Sequence, residues 1–178
     1  MAYNSKAIAN YFLDIAEKTG DTSITPMKIQ KLVYYAQGWH LAIFGRPLIH
    51  EQIEAWQYGP VIESLFHEFK SYGRDCIKSK ATSCKFPDGV LVEYTPSLSE
   101  DDNSVEDPSE TSQFLDEVWN AYGKFTGIQL SNMTHAKGGP WDTVAQTYGG
   151  DPPRGTDIPT DLIQRYFREM SEKKEATV

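Results

Sequence analysis

The stretch from Thr25 to Gly45 leaves a chain of this kind little freedom in how it folds. Thr25 can cap a helix with its side-chain oxygen, and Pro26 sits at the first helical position, where its missing N–H costs nothing. Gly45 supplies the left-handed residue that closes such a helix. Between them Ile29, Leu32, Val33, Ala36 and Ile43 make one apolar face, and Tyr34, Tyr35, Trp39 and Leu41 cover most of the rest. A helix apolar nearly all round has to be surrounded by other elements. The segment therefore predicts a buried central pillar and a mainly α fold built around it.

Other helices follow from periodicity. Ile8, Tyr11, Phe12, Ile15 and Ala16 recur at helical spacing, with Asn4 or Ser5 to cap the start and Gly20 past the end. Ile53 to Tyr58 alternates, which suits a short strand or an extended connector. Gly59-Pro60 breaks it and predicts a third helix from Pro60 to Gly73, with Ile62, Leu65, Phe66 and Phe69 on its stripe. Further helices are expected over about 110–122 and 127–134, from Pro140 through Ala145, and from Pro159 onward, the last packing Leu162, Ile163, Tyr166, Phe167 and Met170. The turn at Pro87-Asp88-Gly89 precedes a β-branched run to Tyr94 and predicts a small hairpin, with 77–86 as its other arm. Residues 96–108 are polar, acidic and bounded by prolines, and read as a flexible loop. The expectation is a compact single-domain bundle of about six or seven helices over 5–173, with the hairpin and acidic loop inserted at 74–108.

Charge narrows the function classes. The net charge is −8, and residues 99–117 carry eight acids with no Lys or Arg, so the rest of the chain is balanced. No surface is set aside for a phosphate backbone, which disfavours nucleic acid as a partner. No stretch approaches the roughly 18 consecutive apolar residues of a membrane span, and the N-terminus lacks a signal-peptide core, so a cytoplasmic protein is expected. Cys76 and Cys84 lack partners at ligand spacing and read as free thiols rather than a metal site or a disulfide.

Motifs for chemistry are sparse. None of His40, His50, His67 and His135 forms H-E-x-x-H, and no phosphate-cradling glycine loop occurs, so neither metal nor cofactor is expected. Asp101 to Val105 hints at a calcium loop but fails at Val105 and lacks the required glycine. His40 reads as a hydrogen-bonded core residue and His67 as a rim residue. His135 is the strongest candidate for a catalytic base, in a small hydrolase, but at the end of a short helix it suits a capping role better. Lys28 and Lys31 read as a solvated helix edge, or alternatively as an anchor for a carboxylate. Aromatic residues make up 12% of the chain, and Trp56, Tyr58, Tyr72 and Trp141 fall near breaks rather than inside stripes. Such residues are the stuff of protein-interface hot spots.

Three blocks carry a family resemblance. They are Thr25-Pro26-Met27-Lys28-Ile29-Gln30-Lys31-Leu32-Val33-Tyr34-Tyr35-Ala36-Gln37-Gly38-Trp39, then Pro47-Leu48 through Glu54-Ala55-Trp56-Gln57-Tyr58-Gly59-Pro60-Val61, then Leu130-Ser131-Asn132-Met133-Thr134-His135 with Pro140-Trp141. Together they resemble the Panacea domain, also called the SocA-like or phage-associated GepA-like domain. The resemblance implies a helical antitoxin of a bacterial or prophage toxin–antitoxin pair, with a cognate toxin protein as partner and no catalytic activity. It also admits an adaptor role toward a protease, and, as for some antitoxins, autoregulation by binding DNA. Its motif residues are Lys28, Lys31, Trp39, Trp56, Gly59, Pro60, Thr134, His135, Pro140 and Trp141. Partner-contact residues are sought instead among exposed aromatics of the more individual regions: Trp56, Tyr58, Tyr72, Phe86 and Tyr94, beside the acidic loop.

Overall fold

Helix α2 (Pro26–Phe44) opens on Thr25, whose side chain accepts the Lys28 amide, and closes on Gly45 in the left-handed region. In the computed structural model, which describes residues 2–99 and 107–175 (the last two by backbone alone), every residue of α2 from Lys28 to Leu41 except Trp39 is buried. Helices α1 (Ser5–Thr19), α3 (Glu63–Phe69), α4 (Pro108–Tyr122), α5 (Gly127–Thr134) and α7 (Thr160–Glu175) all pack on it, and α6 (Pro140–Thr147) bridges α5 and α7. This is the expected bundle, with seven α-helices among the described residues.

Helix α7 approaches α2 closely at Gly38. A Cβ on Gly38 would lie 2.3 Å from the Phe167 ring, so the absent side chain is what lets the two helices meet. Phe167 is fully buried and its ring stands edge-on to Tyr34, Tyr35 and Trp39.

Two antiparallel hairpins complete the fold. One pairs β1 (Glu54–Trp56) with β2 (Gly59–Val61), setting Ala55 opposite Pro60. The other pairs β3 (Ser83–Lys85) with β4 (Val92–Tyr94) across the turn at Pro87–Gly89, as expected from the sequence. Asn10, buried on α1, pins the base of this second hairpin by bonding the Ala81 amide and the carbonyls of Ala81 and Pro96.

Three expectations change. The third helix does not begin at Pro60: Gly59–Val61 is a strand, and α3 starts at Glu63. The Gln30 side chain explains this, since its amide bonds both the N–H and the C=O of Ile62 at 2.9 Å and holds the chain extended up to that residue. The same helix ends at Phe69, and a single 3-10 turn over Lys70–Tyr72 carries the chain to Gly73. The expected loop at 96–108 begins as packed chain, because Pro96 and Leu98 are buried. Its residues 100–106, with the calcium-like Asp101–Val105, lie outside the described residues.

Candidate docking surfaces

The hairpin β1–β2, part of the second sequence block, lies against α2, α5 and α6, and its backbone carbonyls are taken up by side chains of the first and third blocks. The Trp141 indole N–H donates to Trp56 O at 2.7 Å, Ser131 Oγ to Tyr58 O at 2.8 Å, and Lys31 Nζ to Pro60 O at 2.8 Å. Gly59, between the last two, has φ 104°, and a Cβ there would meet Thr134 Oγ1 at 2.6 Å. Only glycine meets both the conformation and the space. Thr134 turns its hydroxyl back to Ser131 O within α5. The motif residues thus work as a clamp on backbone.

His135 belongs to this clamp. Its Nδ1 lies 2.6 Å from Ser131 O, closing the last turn of α5, and its ring stands edge-on to Trp141 with centroids 4.0 Å apart. Nε2 faces Gln57 O at 3.5 Å. Both ring nitrogens therefore face carbonyls rather than a nucleophile. His40 is buried with Nδ1 against Arg46 O, and His67 is exposed, as expected of both.

Lys28 and Lys31 overturn the solvated-edge reading, because both are buried. Lys28 Nζ donates to Ser23 Oγ and to Gly123 O at 2.7 Å, with Asp21 Oδ2 at 3.7 Å, and so ties the ends of α1 and α4 to α2. Burial lowers its pKa, and the Asp21 carboxylate works in the opposite sense. Lys31 is as deeply buried. Its only ion-pair or hydrogen-bond partner among the described residues is the Pro60 carbonyl, and burial lowers its pKa to about 7. Of the carboxylate-anchor alternative, Lys28 keeps Asp21 as its acid, whereas Lys31 has no acid beside it among the described residues. Their placement at positions 28 and 31 of a helix apolar all round was the available signal, since a charge on such a helix has no wet face to occupy.

The aromatic residues expected at an interface divide among three places. Trp56 and Tyr58 sit on the first hairpin. Trp56 is held between the Phe66 ring and the Arg154 guanidinium, each 4.8 Å from its ring centre, with its N–H on Glu54, while Tyr58 is 63% exposed. Tyr72, half-buried after α3, bonds Ser79 and joins neither hairpin strand. Phe86 and Tyr94 sit on the second hairpin, where Lys85 covers the Tyr94 ring and Phe86 is 69% exposed. Val90, Leu91 and Val92 are exposed on the same hairpin, a run that the sequence assigns to a strand and not to a contact surface, although its apolar residues do not alternate as those of a half-buried strand would.

The helical scaffold thus fixes one hairpin through polar motif residues and leaves apolar side chains of the other exposed. The chain belongs to the antitoxin SocA-like, Panacea-domain family, whose model matches residues 29–142. It is 30% identical to the Antitoxin SocA of Caulobacter vibrioides (strain NA1000 / CB15N) over 165 residues, which cover 93% of this chain and 82% of that relative. No solved structure matches the chain. No helix among the described residues is long and apolar enough to cross a membrane.

Proposed function

We propose that this protein is an antitoxin that neutralises a toxin protein by direct association, without catalysing a reaction. Kinship with an antitoxin over 93% of the chain carries the reading. The second hairpin supports it and suggests where contact is made. Its strands are three residues each, too short to be stable by themselves, and Phe86, Val90 and Leu91 project from them into solvent. A contiguous exposed apolar surface on a soluble scaffold marks a docking site. Tyr58, at the tip of the clamped hairpin, is the other projecting aromatic side chain of the set.

Co-expression with the product of the neighbouring gene tests the reading. Growth arrest by that product should be relieved by this chain, and the two should co-purify. The double variant Phe86→Ser, Leu91→Ser should fold normally and lose at least about tenfold in affinity, about 1.4 kcal/mol or more. A harmless neighbour that does not associate would refute the antitoxin reading. Unchanged affinity in the double variant would refute only the hairpin's part in it.

A further inference from the structure

The C-terminal end of α2 departs from the rule of its own helix. Ile43 and Phe44 are 59% and 41% exposed, and they lie in the floor of a groove of about 790 Å³ with Trp39 and Phe114. Helix α4 forms one wall, and Ser171 of α7 stands on the other side. Phe44 and Phe114 meet edge-on, centroids 5.7 Å apart, so the floor is a joined aromatic surface rather than scattered apolar atoms.

The rim carries one sign of charge. Glu110, Asp116 and Glu117 of α4 line the groove, and no Lys or Arg does among the described residues. Asp116 is engaged by the Tyr11 hydroxyl at 2.9 Å, whereas Glu110 and Glu117 make no ion pair among the described residues. They are seven positions apart and so share a face of α4, aligned along the groove. Arg46 stacks on the Phe44 ring from outside the lining, at 5.7 Å.

The backbone chemistry of the walls limits what can lie here. A groove bounded by helices offers no strand edge, because helix backbone groups already bond within the helix. An extended segment would therefore bury unpaired amides, while a helix brings its own satisfied. From the apolar floor, the acidic rim and the helical walls we propose that this groove, separate from both hairpins, docks a basic amphipathic helix of a partner protein. The apolar stripe of that helix lies on Trp39, Ile43, Phe44 and Phe114, and its Lys or Arg residues reach Glu110 and Glu117.

The test uses the whole chain and a fluorescently labelled synthetic peptide of leucine and lysine, about five helical turns long, with leucines on one face. Fluorescence anisotropy should report binding that weakens at least about tenfold in Ile43→Asp and about fivefold in the double variant Glu110→Gln, Glu117→Gln. The remote pair Glu17→Gln, Asp151→Asn should bind like the parent, and circular dichroism should show every variant folded. Equal weakening by the remote pair, or equal binding of a leucine–glutamate peptide of the same pattern, would overturn the proposal by reducing it to overall charge or to greasiness. A parent chain that sediments as a dimer and an Ile43→Asp chain that sediments as a monomer would also overturn it, giving the groove to a second copy. None of these readouts involves a toxin, so failure here leaves the antitoxin reading standing.

Discussion

Polar side chains buried along α2 are the residues that turn a bundle into this particular molecule. Gln30 bonds Ile62 twice, Lys31 bonds Pro60, and Gln37 accepts the amides of Leu48 and Ile49, at 2.7 and 3.0 Å. Each satisfies loop backbone that would otherwise be buried without a partner. Lys31 makes the arrangement sensitive to proton concentration. Its pKa is about 7 in the fold, and an unfolded lysine keeps a value near 10.4. Between these values the unfolded chain holds one more proton than the folded one, so stability rises with pH across that window, by at most about 1.4 kcal/mol per unit. Below pH 7 both states are protonated and this gain is absent. Urea unfolding at pH 6.5, 7.5 and 8.5 should show the rise, and Lys31→Met should flatten it. A parent chain whose stability is level over that range would rule out an uncharged Lys31. The lysines were also where sequence reading failed: their charge pointed to water, although a helix apolar nearly all round had no wet face to give them.

At the scale of elements, legibility followed the source of each signal. Caps and glycine stops are local chemistry, and so the bounds of α1, α2 and α5 could be read directly from Asn4, Gly20, Thr25, Gly45 and the 127–134 pattern. In the hairpin β1–β2 the first strand was readable from the alternation over 53–58, but the second was hidden because Pro60 suggested a helix start, while what holds the pair comes from residues as distant as Ser131 and Trp141. The hairpin's dependence on that clamp can be measured. Trp141→Phe keeps the ring but removes the N–H that meets Trp56 O, and should cost about 1–2 kcal/mol. Amide exchange should quicken over residues 54–61 and stay slow in α1 and the core of α2. Uniform quickening throughout would mean that the hairpin is no separate unit. The resemblance pointed to the right family but not to a contact surface, because most of its motif residues hold backbone within the fold, and Tyr58 is the large exposed side chain that its blocks share with the hairpins.

For the whole molecule, the central helix makes stability collective. Five other helices rest on α2, and α7 does so through a ring seated where Gly38 leaves room. Phe167→Ala should cost about 3–5 kcal/mol and lower the melting temperature in a single transition, since no helix can leave without baring the same pillar. Two separated transitions on calorimetry would contradict that view. The pairing of α7 with α2 also spans a long stretch of chain: Gln164 bonds the Leu41 carbonyl from 123 positions away. During synthesis the pillar leaves the ribosome early and its cover arrives late, several seconds afterward at about 5–20 residues per second. Until then the sides of Tyr34, Tyr35 and Trp39 that meet Phe167 lie bare, and a message broken before the codons of α7 yields a product that quality control can recognise by that aromatic seam.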